Sequence, residues 1–245
     1  MIPARPSGWR LHRQRLERSL GRRWREWRLP AGYIRLGTKY GGWWLDRALV
    51  RADPLLVDCG LGEDISFDAA FLSRFGGTVI GIDPNPRSLA WCKAHCPPGM
   101  HLLDRAFWTS TGKTLSFHLP RPREQLPSGA DGVSGSLERS HAYVQGGASR
   151  TVTTIDLARV LADAARDDCD VLKLDIEGAE YEVLPDLAGR GLLARCRQLL
   201  VEFHHGVTEH TRARTERVVA AVRAAGFGLV HLEGRNHIFR RNDLG

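Results

Sequence analysis

Five short apolar runs in this chain each break off at an ionisable residue. "PLLVDCG" reaches Asp58, "GTVIGIDP" reaches Asp83, "MHLLDRAFW" reaches Asp104, "VLKLD" reaches Asp175, and "QLLVEF" runs into the pair His204 and His205. Each run has strand length, and segments with helical spacing stand between most of them. "ISFDAAFLSRF" puts Phe67, Ala70, Phe71 and Phe75 on one face, and "PRSLAWCKAH", residues 179 to 190 and "HTRARTERVVAAVRAAG" repeat the helical pattern. Continuous apolar strands alternating with helices predict a parallel sheet covered on both faces. The last segment differs: "FGLVHLEGRNHIFRR" reads as two strands joined by Glu-Gly-Arg-Asn, a hairpin that adds an antiparallel strand.

A length of 245 residues with 42% hydrophobic content fits one α/β domain over 31–245 with a full core. Residues 1–30 stand apart. They hold nine arginines against Glu17 and Glu26, a local charge of +7 that equals the excess of the whole chain. Leu16, Leu20, Trp24 and Trp27 recur at helical spacing, and Pro30 follows as a stop. The arm reads as a basic amphipathic helix whose apolar stripe packs on the domain; contact with an anionic surface is the sharper alternative. The near-neutral body argues against a nucleic-acid partner, and a homodimer stays open. No run approaches the roughly 18 apolar residues of a membrane span, and no secretory leader is visible, so a cytoplasmic location is expected. Cys59, Cys92, Cys96, Cys169 and Cys196 form no metal-binding pattern and read as reduced thiols. Residues 119–150, rich in Pro, Gly, Ser and Arg, read as a lid or loop insertion.

Ligands of open parallel sheets bind beyond the carboxyl ends of the strands, which is where the ionisable residues fall. In "VDCGLGEDIS" Gly60 and Gly62 permit a tight turn and a close approach of backbone to ligand. Position 65 is Ile, so the Gly-x-Gly-x-x-Gly dinucleotide fingerprint fails. Asp58-x-Gly60-x-Gly62 resembles instead the first motif of class I S-adenosylmethionine methyltransferases. A third glycine often follows in that motif; here the position is Asp64. Asp83 lies at the spacing expected for the neighbouring strand, where a carboxylate accepts hydrogen bonds from a ribose diol. Asp104 and Ala106 fall where such a fold places the adenine edge.

"LKLDIEGAEYEVL", followed by "VEFHH", is similar to the FkbM-type methyltransferase family, whose characteristic segments are Lys-x-Asp-x-Glu-Gly-x-Glu and a downstream Glu-Phe-His. "VTTIDLARVL" resembles the segment just before. The resemblance spans roughly 55–239 and leaves out the basic arm. It implies a Rossmann-like class I methyltransferase fold with a mostly parallel seven-stranded sheet and a C-terminal antiparallel hairpin. It further implies S-adenosyl-L-methionine as cofactor and O-methylation of a small-molecule hydroxyl, a sugar or a polyketide-type metabolite.

Methyl transfer to oxygen needs a base for the hydroxyl proton. His204 is assigned that role, with Asp175 facing cofactor and acceptor and Glu177 beside it as a second carboxylate. Glu180 and Glu182 read as the solvated first turn of the following helix. Asp175, Glu202 and His204 could alternatively converge on a divalent ion, although no metal is assigned. Lys39 is a candidate for the cofactor's carboxylate. Tyr40, Trp43, His141, Tyr143 and His205 are candidates to line the acceptor. Two rival functions stay in view: a catalytically silent methyltransferase-like binding protein, and an RNA methyltransferase using the basic arm.

Overall fold

The computed structural model describes residues 29, 31–127 and 132–244. The predicted amphipathic helix of the basic arm lies outside the described residues. The chain opens with strands β1 (Tyr33–Leu36) and β2 (Trp43–Asp46), an antiparallel pair. It continues through β3 (Leu55–Cys59), α1 (Ser66–Phe75), β4 (Thr78–Ile82), α2 (Pro86–His95) and β5 (Met100–Leu103). The short β6 (Ala106–Phe107), β7 (Thr114–Pro120) and the long β8 (Val144–Ile155) follow, then α3 (Leu157–Asp163) and β9 (Cys169–Leu174). The last elements are α4 (Glu180–Gly189), β10 (Cys196–Glu202), α5 (Arg212–Ala224), β11 (Phe227–Glu233) and β12 (Asn236–Arg241).

The main sheet has seven strands in the order β11-β12-β10-β9-β3-β4-β5. Strands β10, β9, β3, β4 and β5 are parallel, while β12 runs antiparallel to both β10 and β11. The expected C-terminal hairpin is therefore present, and its second strand is the one that joins the parallel body. The strand order reverses between β3 and β9, so the crevice above these two ends is the topological switch point.

Alternate residues of β3 feed two cores. Leu55, Val57 and Cys59 pack with Leu157, Leu161, Tyr181, Leu184 and Val222 on one face. Leu56 packs on the other face with Phe67, Phe71, Trp43 and Leu45. Phe67 and Phe71 are fully buried, so truncating either to alanine would cost about 3–5 kcal/mol. Helix starts follow their capping residues. The Asn85 side chain accepts from the Arg87 amide ahead of Pro86, and Thr211 accepts from the Arg214 amide. Buried polar groups are paired across elements. Gln198 exchanges two hydrogen bonds with the Asp46 backbone, which fastens β2 onto β10.

Four strands were not anticipated. The β1–β2 ribbon covers one sheet face, and β7 and β8 extend into the segment expected to be loop. In β8, Gly146 and Gly147 interrupt the apolar alternation that would have announced a strand; pairing with β7 supplies the order instead. Residues 132–143 cross the sheet's carboxyl end. No helix among the described residues is long and apolar enough to cross a membrane.

Candidate active site

The residues after β3 make a turn in which Gly60 and Gly62 both adopt positive φ, +87° and +58°. Gly60 is pressed under the end of β9. The Asp175 amide donates to the Cys59 carbonyl at 2.9 Å, and a β-carbon on Gly60 would lie 1.7 Å from the Asp175 carbonyl oxygen. Only glycine fits there. The turn is held from the side by Asp83. Its Oδ2 accepts from the Leu61 and Gly62 amides at 2.9 and 3.2 Å, and its Oδ1 accepts from the Asn85 amide at 2.7 Å. Burial raises the Asp83 carboxyl to about 6, against these three amides and Lys173, which pull it down. Asp64, which stands where many related turns have glycine, accepts from the Thr38 hydroxyl at 2.6 Å and the Ser66 amide at 2.9 Å. It ties the turn to the segment carrying Tyr40.

The segment after β9 makes a second turn. Glu177 is a non-glycine residue at φ +53°, a conformation that costs energy and aims its side chain inward. Its Oε2 lies 2.8 Å from His141 Nε2 and 3.2 Å from His204 Nε2. His141 Nδ1 accepts from the Tyr143 amide, so the His141 proton sits on Nε2 and points at Glu177. Burial favours a neutral Glu177, but His204, His141 and the Ser134 hydroxyl outweigh it and hold the carboxyl at about 2.

Glu180 corrects an expectation. It does not lie on a solvated face: it is fully buried, and its carboxylate accepts from the Gly178 amide, the His204 amide and His204 Nδ1 at 2.8, 2.8 and 3.1 Å. Glu182, one residue pair further, does face solvent and pairs with Arg214. His204 thus has a carboxylate on each nitrogen, with Asp175 Oδ1 another 3.4 Å from Nε2. Burial would strip its proton, yet Glu177, Glu180 and Asp175 together keep it well above the usual histidine range. A doubly donating imidazolium cannot accept a proton, so this arrangement does not support His204 as the base. Asp175, Glu177 and His204 offer ligand atoms within 4.8 Å of one another. They could serve a divalent cation only after His204 gives up its Nε2 proton. Glu202, the third member of the anticipated set, is not part of that group.

These turns line one cleft of about 640 Å3 that runs across the ends of β3, β4, β9 and β10. It gathers Gly60, Gly62, Asp83, Ala106, Asp175, Glu177, His204, Tyr40, Trp43 and Tyr143 from among the anticipated residues. Five others lie off it. Asp58 is buried beneath the turn against Lys173, 2.7 Å away. Asp104 pairs with Arg150 in solvent. Lys39 is exposed and does not line the cleft. His141 is buried behind Glu177, and His205 turns toward the Thr215 hydroxyl of α5.

The cleft also holds Lys173, Arg235 and Asn236, which had no assigned role, and Glu202, weighed before only as a metal ligand. Lys173 reaches it from the end of β9; a lone lysine in an apolar run was the available signal, since such a group needs an anionic partner. Glu202, Arg235 and Asn236 form the opposite wall. Glu202 pairs with Arg235, which favours its charge, but burial and the neighbouring Asp175 prevail and lift its carboxyl to about 7.

The donor set fits a nucleoside bearing an amino acid. Three backbone amides use three of roughly four lone-pair sites on Asp83, leaving one for a ribose hydroxyl. The apolar Ala106 and Phe107 offer an edge for a base, and the glycine turn exposes backbone to the cleft.

A family model described as a methyltransferase FkbM domain matches residues 58–229. No curated protein matches the chain. Solved structures similar to it include the Aeropyrum pernix fibrillarin with natively bound S-adenosyl-L-methionine, at 11% identity and TM-score 0.38 over 79% of this chain and 67% of that one. The Methanococcus jannaschii fibrillarin pre-rRNA processing protein gives 9% identity and TM-score 0.41 over 78% and 68%. The METTL16 methyltransferase domain gives 9% and 0.42 over 77% and 60%. These likenesses are distant; the match over residues 58–229 assigns the family.

Proposed function

Since the chain belongs to the FkbM methyltransferase family and is an S-adenosylmethionine-dependent methyltransferase, we propose that it methylates a hydroxyl oxygen of a small molecule, a sugar or a polyketide-type metabolite. The observation that carries this reading is the pair of cleft carboxyls Asp175 and Glu202, with Glu202 held near neutrality. A carboxyl near 7 is matched to removing a hydroxyl proton at physiological pH.

Bound S-adenosylmethionine supplies an electrophilic methyl group. Asp83, Ala106, Phe107 and the Gly60–Gly62 turn would hold the cofactor, Asp83 taking the ribose, Ala106 and Phe107 the base and the turn the methionine part. Asp175 stands between this end and the acceptor end. Glu202 would receive the proton that the acceptor hydroxyl gives up. Arg235 and Asn236, with Tyr40, Trp43 and Tyr143, orient the acceptor and exclude water. His204 acts as a fixed cation that holds Glu177, Glu180 and Asp175 in place.

The test combines calorimetry and product analysis. Wild type should bind S-adenosylmethionine and not NAD, and Asp83→Ala should lose that binding. In a screen of sugars and polyketide-type alcohols, mass spectrometry should find the new methyl on oxygen. Binding without transfer to any hydroxyl would favour the silent binding protein. Transfer to RNA, lost on deleting residues 1–30, would replace the small-molecule reading.

A further inference from the structure

Lys173 lies near the carboxyl end of β9, and strand register sets it directly beside Asp58 of β3. Its Nζ donates to Asp58 Oδ1 at 2.7 Å and to the Gly60 carbonyl at 3.0 Å, and lies 5.7 Å from the Trp43 ring centroid. Asp58 and Asp68 are each 1% exposed and Lys173 5%. Asp58 immediately precedes the 60–65 turn; Asp68 follows it in the first turn of α1. We propose that Asp68, Asp58 and Lys173 form a buried hydrogen-bonded chain that clamps the 60–65 turn at both ends and thereby sets the affinity for the methyl donor. This rests on the reading of that turn as part of the cofactor site.

Charge accounting places the proton. As two carboxylates, Asp58 Oδ2 and Asp68 Oδ1 would be buried with no hydrogen-bond partner, an arrangement proteins avoid. One proton shared along the pair satisfies both. Burial raises both carboxyls; at Asp58 Lys173 opposes that rise, while at Asp68 burial and then the Asp58 charge push the carboxyl well above the usual range. The position of Asp68 at a helix N-terminus favours its ionised form, but that effect is weaker than burial beside a like charge. Asp68 is therefore the neutral donor, Asp58 the carboxylate, and Lys173 the cation that carries the chain on to the Gly60 carbonyl. All three are positioning residues.

The test compares Asp68→Asn, which keeps an N–H donor, with Asp68→Leu, which removes it. By calorimetry with S-adenosylmethionine, the asparagine variant should bind within about twofold of wild type and the leucine variant at least about tenfold more weakly. Wild-type affinity in Asp68→Leu would overturn the proposal, and so would equal weakening in both variants. Carbon-13 NMR of aspartate carboxyls in the wild type gives a reading that needs no variant to fold. One buried carboxyl should stay protonated at pH 7, and its signal should be missing from Asp68→Asn. Titration of every aspartate below pH 7 would refute the chain. Failure of the wild type itself to bind S-adenosylmethionine would instead remove the cofactor reading.

Discussion

Gly60→Ala should destabilise the protein far more than Gly62→Ala, although both glycines occupy one turn with positive φ. At Gly60 the added carbon would stand 1.7 Å from the Asp175 carbonyl oxygen. Bringing that contact to 3.0 Å requires the ends of β3 and β9 to part by about 1.3 Å. Two backbone hydrogen bonds hold the chain at this point, from Asp175 to Cys59 across the β3–β9 seam and from Gly60 to Ile82 at the end of β4, both at 2.9 Å. Losing them costs about 1 kcal/mol each, and the positive φ adds about 1–2 kcal/mol. The expected total is about 3–4 kcal/mol. At Gly62 the nearest atom is Val133 Cγ2 at 3.8 Å, so only the conformational term of about 1–2 kcal/mol applies. Urea denaturation of the two variants under identical conditions measures the difference directly. The same Gly60→Ala variant should lose S-adenosylmethionine binding by calorimetry, because the turn and Asp175 move together. Stabilities within about 0.5 kcal/mol of each other would refute the claim that the seam between β3 and β9 is closed by backbone contact.

His204→Ala removes the cation shared by Asp175, Glu177 and Glu180, and should cost about 3–5 kcal/mol in thermal unfolding; wild-type stability would show that these carboxylates do not depend on it. Glu177, held at about 2 when folded against about 4.5 unfolded, contributes stability that is present above pH 4.5 and lost as the pH falls toward 2. The loss should approach about 3 kcal/mol, and Glu177→Gln should flatten that part of the acid unfolding curve. For Glu202, raised to about 7, methyl transfer should increase with pH through about 7, and Glu202→Gln should abolish that limb while leaving S-adenosylmethionine affinity within about twofold. Retention of the limb in that variant would assign the base to another group.

The linear pattern determined the sheet, its helices and the row of ionisable residues at the strand ends. These follow from periodicity: an apolar run of strand length has no other stable place than a buried parallel sheet, and the ligand end of such a sheet is fixed by chain direction. That is why Gly60, Asp83 and Asp175 could be assigned to one crevice from spacing alone, and why the Lys-x-Asp-x-Glu-Gly-x-Glu segment pointed to the family. The strands β1, β2, β7 and β8 were not legible because their order comes from pairing with distant segments and not from local alternation. What only the tertiary structure decided is the direction and charge of individual side chains. Glu180 and Glu182 look alike on a helical wheel, yet the end of β10 folds over the first turn of α4 and takes Glu180 into the interior as the partner of His204. Register across β3 and β9 turned Asp58 from a cofactor candidate into the counter-ion of Lys173. Three carboxylates around one imidazole made His204 a cation where its residue type suggested a base. Each outcome depends on groups far apart in sequence meeting in a medium of low dielectric, where neighbours and not residue type set the protonation state.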